Sequence, residues 1–256
     1  MDLGLKDKRV LITGGSKGIG LACAKGFVAE GARVALVSRS EENLRKADVK
    51  AAYTIAADLT DAAAAASMVE RVEKEFGPID VLVNSAGAAK RTDAPELTPA
   101  AWRAGMDAKY FSYIYVIDPL IKRMAARGRG AVINIIGSGG KVASPTHLAG
   151  GAANAALMLA TAGLANAYAA KGVRVVGVSP GVTKTERVAE GLKAEAKRAG
   201  VSEEQAYKQM VARLPMGRPA EPEEIADIVV FAASERGRYL TGANISTDGA
   251  ASHVVV

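Results

Sequence analysis

The chain has 256 residues, 49% of them hydrophobic and 23% charged, with 33 Lys+Arg against 27 Asp+Glu for a net charge of +6. That apolar content excludes a disordered chain, and the 27 glycines follow no fibrous period. The single cysteine, Cys23, can close neither an internal disulfide nor a cysteine zinc site, which points to a reducing setting such as the cytoplasm.

Short β-branched runs alternate with longer helical stretches along the whole chain. A strand is predicted over Arg9–Thr13, then a glycine-rich stretch and a helix over Ile19–Glu30 that Gly31 ends. Strands over Arg33–Ser38 and Tyr53–Ala57 follow. The next helix, Asp61–Phe76, stops at Gly77 and includes the alanine run Ala62–Ala66, which suits the best helix former. A strand over Val81–Asn84, a long helix over Pro99–Arg127 and a strand over Ala131–Ile136 come next. A helix over Leu148–Ala170, with Pro145 expected to open it, precedes the sixth strand, Arg174–Ser179. After a charged, strandless helical stretch, a helix over Glu223–Ser234 and a strand over Asn244–Thr247 complete the pattern.

The strands are near-continuous apolar runs, as expected where helices cover both faces of a sheet. Alternating β and α units predict an α/β Rossmann fold: a doubly wound parallel sheet of about seven strands, in a single domain over residues 1–256. The charged stretch at 186–213 follows the sixth strand, at the edge where ligands bind in such sheets, and is read as a helical substrate lid.

Several partners are not expected. Charges of both signs are interspersed and aromatics make up 5% of the chain, which gives nucleic acid neither a basic patch nor a stacking surface. No membrane association is expected, since no run is read as reaching the roughly 18 uncharged apolar residues of a span and Met1–Arg9 lacks a signal-peptide core. Two histidines and no local Cys/His/Asp cluster predict no metal site. Cys23, on the first helix, reads as a small core residue.

The stretch Gly14-Gly15-Ser16-Lys17-Gly18-Ile19-Gly20 lies between the first strand and the first helix. There glycines let the backbone approach a pyrophosphate, and a helix start offers free N–H groups and a positive dipole end. Its spacing, G-x-x-x-G-x-G, carries one residue more before the second glycine than the commonest dinucleotide fingerprint. With that variant the chain resembles the short-chain dehydrogenase/reductase family. The resemblance continues through Asp58-Leu59 after the third strand, Asn84-Ser85-Ala86-Gly87, Ser138 after the fifth strand, and Pro180-Gly181-Val182-Thr183-Lys184-Thr185. It ends with Gly217-Arg218-Pro219, Tyr239-Leu240-Thr241-Gly242 and Thr247-Asp248-Gly249.

The resemblance implies cofactor contacts at Gly14, Ser16, Lys17, Gly18, Ile19, Gly20, Ser38, Arg39, Asp58, Leu59, Asn84, Ala86, Gly87, Pro180, Gly181, Thr183 and Thr185. A free ribose 2′-hydroxyl calls for an acid at the end of the second strand, and a 2′-phosphate calls for cations. That strand ends Ser38-Arg39, with Lys17 in the phosphate loop, so NADP(H) is the expected cofactor.

The family's usual catalytic set is an Asn, a Ser, a Tyr and a Lys, with the Lys lowering the pKa of a proton-passing Tyr. Here the pattern breaks. Anchored on Ala155-Ala156-Leu157, the Tyr position holds Gly150 and the Lys position holds Asn154. Counted from Trp102 and Asp107, the Asn position holds Lys109. Lys109 and Asn154 thus look like an exchange that keeps one ammonium and one amide on opposite walls of the cavity. Ser138 is read as orienting the substrate oxygen. His147, about one helical turn before Gly150, is read as the acid/base, since a missing side chain at 150 leaves room for an imidazole. Against this, the lean of helical side chains toward the N-terminus would carry His147 out of the site. Tyr113, four residues beyond Lys109, is the fallback donor.

The expected function is NADP(H)-dependent oxidoreduction of a small carbonyl or alcohol substrate through a non-standard catalytic set. Two alternatives stay open: a catalytically inactive NADP-binding sensor or scaffold, and a lyase or isomerase on the same fold. The seven cations and five acids of Lys184–Arg213 name no substrate charge. Relatives of this kind pair the two long helices into dimers and tetramers, which implies a homo-oligomer, a tetramer at its largest. The apolar tail Ser252–Val256 would bury at a subunit contact.

Overall fold

The structure is a computed structural model that describes residues 1–51, 53–87 and 89–254. Its seven strands are β1 (Arg9–Thr13), β2 (Arg33–Ser38), β3 (Tyr53–Ala56), β4 (Val81–Asn84), β5 (Gly130–Ile135), β6 (Val173–Pro180) and β7 (Asn244–Thr247). They pair in parallel throughout, in the order β3-β2-β1-β4-β5-β6-β7. The order reverses between β1 and β4, which opens a crevice at their carboxyl ends.

Successive strand residues face opposite sides of the sheet and feed two separate cores. Val10, Ile12, Val34, Leu36, Val81 and Val83 join Phe27 of α1 (Gly18–Ala29) and Val229 of α9 (Pro222–Ala233). Leu11, Ala35, Val37, Leu82 and Val132 join α3 (Ala62–Glu75), α5 (Ser112–Ala126) and α6 (Leu148–Tyr168) through Val69, Leu120 and Leu157. Cys23 is among the buried residues of the first core, and its thiol pKa is pushed up to about 12 by that burial.

A chain of buried polar side chains crosses the second core. Thr13 donates to Asn84 at 3.4 Å, Asn84 to Asn134 at 3.0 Å, and Asn134 to Thr161 of α6 at 3.0 Å. Each group is satisfied where an unpaired one would be costly, so the chain fixes α6 against the sheet.

Three expectations are corrected. A short helix, α2 (Glu41–Lys46), follows β2; it is polar, six residues long and held by its Ser40 N-cap, too short for a periodicity. The long helix predicted over Pro99–Arg127 is α4 (Pro99–Met106) and α5 joined by a π turn, Asp107–Phe111. Residues 148–171 are long and apolar enough to cross a membrane by length and composition, contrary to the expectation. In the fold this helix lays one face on the sheet, with Ala149, Ala153, Leu157, Thr161 and Ala165 buried and Thr161 bonded to Asn134.

The segment after β6 forms α7 (Glu186–Ala199) and α8 (Glu203–Val211), capped by Thr185 and Ser202. Of the apolar tail, Val254 is 39% exposed, while Val255 and Val256 lie outside the described residues.

Candidate active site

The loop after β1 is shaped by close backbone contact. Gly14 has φ +65°, and a β-carbon there would stand 2.8 Å from the Ala86 backbone; one on Gly20 would collide with the Gly14 carbonyl oxygen. Thr13 braces the facing loop by accepting from the Ser85 and Ala86 N–H groups at 3.2 and 3.3 Å. On the far side Thr185 sits 3.2 Å from the space a β-carbon on Gly18 would fill. The loop that carries the expected phosphate-side residues Gly14, Ser16, Lys17, Gly18, Ile19 and Gly20 thus packs against Ala86 at Gly14 and against Thr185 at Gly18.

The adenosine-side residues lie at the ends of β2 and β3. Ser38 accepts from the Ser40 N–H at 3.2 Å, and Arg39 is exposed with no ion pair among the described residues. Asp58 accepts from the Thr60 N–H and hydroxyl at 3.0 and 2.8 Å, which holds its pKa below the usual carboxylate value, with Arg39 adding to the effect.

Four of the expected cofactor residues are placed differently from a simple ligand contact. Asn84 is fully buried and its side chain is committed to the polar chain in the core. Leu59 packs into the second core. Thr183 is buried and donates to the Gly181 carbonyl at 3.3 Å. Lys17 is engaged with Glu186 of α7 at 3.0 Å.

The expected catalytic residues converge on the segment just past β5. A β-carbon on Gly87 would collide with the Ala108 carbonyl, so the loop after β4 is pressed against the π turn that carries Lys109. Such turns redirect a side chain that a straight helix would aim elsewhere. The Lys109 ammonium donates to the Ile135 carbonyl at 3.0 Å and to the Tyr113 hydroxyl at 2.8 Å. Desolvation, with the Arg187 charge second, lowers its pKa from 10.5 to about 7.

Tyr113 is not an available donor. It is fully buried, its hydroxyl donates to the Ile135 carbonyl at 2.8 Å, and burial pushes its pKa up. Ser138 opens a 3-10 turn, Ser138–Gly140, whose glycines let α6 approach. The Asn154 amide nitrogen lies 3.1 Å from where a β-carbon on Gly137 would be.

His147 does enter the site. Pro145 lies in a turn and α6 starts only at Leu148, which leaves His147 as a non-helical N-cap with φ −138° and ψ 33°. The helical lean therefore does not apply, and the imidazole folds into the notch at Gly150: a β-carbon there would overlap Cε1 and Nε2. Its Cδ2 lies 3.3 Å from the β-carbon position of Gly139, beside Ser138. Desolvation, then the charges of Arg91, Lys109 and Arg187, hold its pKa below 6.5. Nδ1 of His147 and Oδ1 of Asn154 are buried with no hydrogen-bond partner among the described residues.

Two cations were not anticipated from the sequence. Arg187, in the first turn of α7, acts electrostatically on Lys109, Tyr113 and His147. Arg91 donates to the Thr146 hydroxyl at 3.3 Å, next to His147. The available signal was position: Arg187 lies two residues beyond Thr185, and Arg91 four beyond Gly87.

The family described as enoyl-(acyl carrier protein) reductase matches residues 14–251 of the chain. A 3alpha-hydroxysteroid dehydrogenase of Mediterraneibacter gnavus is 31% identical over 255 residues, which cover 96% of this chain and 98% of that protein. The D-threitol dehydrogenase of Mycolicibacterium smegmatis is 34% identical over 254 residues, covering 97% and 94%. Among solved structures, L-sorbose reductase from Gluconobacter frateurii, complexed with NADPH and L-sorbose, matches with a TM-score of 0.92 at 30% identity and covers 100% of both chains.

Proposed function

The chain belongs to the short-chain dehydrogenase/reductase family, and from that premise we propose that it is an NADP(H)-dependent oxidoreductase interconverting a carbonyl and an alcohol in a small-molecule substrate. The residues present fit the cofactor: the loop around Gly14 and Gly20 is a cradle that β-carbons would fill, and Arg39 offers an unpaired guanidinium at the end of β2. When bound, NADPH supplies the hydride that reduces the substrate's carbonyl carbon.

The remaining steps belong to the chain's own side chains. We place Gly150 and Asn154 at the family's Tyr and Lys positions, and Lys109 at its Asn position. The Ser138 hydroxyl donates to the substrate oxygen and orients it. As that oxygen gains negative charge, His147 passes it a proton. The Lys109 ammonium, whose charge reaches the imidazole, restores that proton. A group with a pKa near 7 exchanges protons efficiently at neutral pH, and the pKa of Lys109 falls to about 7. The buried Asn154 Oδ1 accepts from a water in this relay.

The observation that carries the reading is the Lys109 ammonium held at the end of β5 beside an imidazole seated in the Gly150 notch. The sensor and lyase readings rest on the missing Tyr/Lys pair alone. We include in the proposal a lid over 186–213, a cytoplasmic setting and a homo-oligomer. Leu159 and Tyr239, 77% and 100% exposed, offer apolar surface for the last of these.

Transfer of deuterium from 4-deuterated NADPH to a carbonyl panel, read by mass spectrometry, tests the assignment. Lys109→Ala and His147→Ala are each expected to lose about 10²–10⁴-fold in rate. Full rate in both variants removes them from the chemistry.

A further inference from the structure

Ser138 stands in a segment with almost no side chains to hold it. Gly137 precedes it and Gly139 and Gly140 follow, so its neighbours in the chain offer only backbone to their surroundings. Glycine gives up the most conformational freedom on ordering, so the position of such a segment has to come from what lies beside it. On one side that is α6, which presses so close that a β-carbon on Gly140 would lie 2.8 Å from the Ala155 nitrogen, and one on Gly151 2.9 Å from the Gly139 carbonyl oxygen. On the other side it is Lys141, the first side chain after the glycines. Its ammonium reaches past β6 to the edge strand β7, donating to the Ser246 hydroxyl at 3.0 Å and to the Asn244 carbonyl at 3.4 Å. The Lys141 N–H and the Val142 N–H both donate to the Ser138 carbonyl, at 2.9 and 3.1 Å, so the tether meets the serine through one closed turn.

We propose that Lys141 is a positioning residue: by tying the Ser138 turn to β7 it fixes the Ser138 hydroxyl for the substrate oxygen. The same segment borders the imidazole, since Cδ2 of His147 lies 3.3 Å from where a β-carbon on Gly139 would be. A slip of the segment therefore changes the spacing between the hydroxyl and the imidazole, the two groups that serve one substrate oxygen. An ammonium suits the task, because its hydrogen bonds are stronger than those of a neutral donor. The role of Ser138 rests on the oxidoreductase reading; the tether rests on the hydrogen bonds to β7.

Lys141→Met keeps most of the side chain and removes the donor, Lys141→Arg keeps a donor, and Ser246→Ala removes an acceptor from the other end. In NADPH-dependent reduction of a carbonyl panel, Lys141→Met is expected to lose about tenfold to 10²-fold in kcat, the order of loss that a displacement of roughly 1 Å brings, while NADPH binding by calorimetry is unchanged. Lys141→Arg should recover part of the rate, and Ser246→Ala should lose part of it. In a Ser138→Ala background Lys141→Met should cost nothing further, because the lysine acts through the serine; a general loosening of the fold would lower the rate equally in both backgrounds. Hydrogen–deuterium exchange of the cofactor-free protein should quicken over residues 138–142 in Lys141→Met and stay as it is over β5. Wild-type rate in Lys141→Met, equal losses in the two backgrounds, or unaltered exchange overturns the proposal. Faster exchange in a protein that transfers no hydride upholds the tether and removes the oxidoreductase reading, so the two fail separately.

Discussion

Replacing Lys109 by Met is expected to make the protein gain stability over the wild type as pH falls from 10 to 6. The fall in pKa from 10.5 to about 7 means that between those values the unfolded chain holds a proton the folded chain lacks. Wild-type stability therefore rises with pH across that window. The penalty for the buried ammonium is complete below pH 7 and gone above 10.5. In full it corresponds to about 5 kcal/mol, and partial solvent contact at Lys109 reduces it to roughly 2–3 kcal/mol. Methionine keeps most of the volume but loses the hydrogen bonds to Tyr113 and Ile135, about 1 kcal/mol each at any pH. The variant should accordingly be less stable by about 2 kcal/mol at pH 10 and equal to or slightly more stable than the wild type at pH 6. The swing of 2–3 kcal/mol amounts to roughly 5–10 °C in relative Tm for a domain of this size. Thermal melts of both proteins without cofactor, at half-unit pH steps, measure it. A constant offset at every pH would show that the ammonium is solvated and that its acidity is ordinary, which removes the basis for its proton-transfer role.

Two other perturbations probe neighbouring parts of the site. Gly150→Ala should expel the imidazole from its notch, cost about 1–3 kcal/mol by overpacking, and raise the His147 pKa back toward 6.5 as desolvation is relieved; an unchanged NMR titration of His147 would place the ring elsewhere. Arg39→Glu should weaken NADP binding by at least about tenfold, the worth of one charged hydrogen bond, while sparing NAD; equal losses for both in calorimetry would put Arg39 away from the ribose.

How legible the molecule was depends on what each feature rests on. Arg9–Thr13, Arg33–Ser38 and Val81–Asn84 form strands with the predicted bounds because an apolar run covered on both faces has one structural solution. The π turn at Asp107–Phe111 left no mark on the periodicity, since one wide turn hardly alters a helical repeat; it is fixed by the backbone contact between Gly87 and Ala108. The gap at Gly150 was visible, and so was the nearby imidazole, but its direction turned on whether His147 is helical. That is a matter of one residue at a helix start, where boundaries are least defined. Arg187 and Arg91 were hidden for a different reason. The lid's charges nearly cancel by count, and only pairing in space shows that Glu186 and Asp93 are engaged by Lys17 and Arg198.

On the proposed exchange of Lys109 and Asn154, acidity would be generated in another way. In the family pattern an ammonium acts on a tyrosine, and the phenol moves the proton. Here, among the described residues, the phenol touching the ammonium is that of Tyr113, whose own proton is committed to the Ile135 carbonyl and whose pKa is raised by burial, so the ammonium has no phenol to activate. What remains is the acidity of the ammonium itself. A lysine on an open helix face would keep its ordinary pKa and exchange protons poorly at pH 7. Seated on the π turn, desolvated against Ile135 and repelled by Arg187, Lys109 reaches about 7 with no second group to tune.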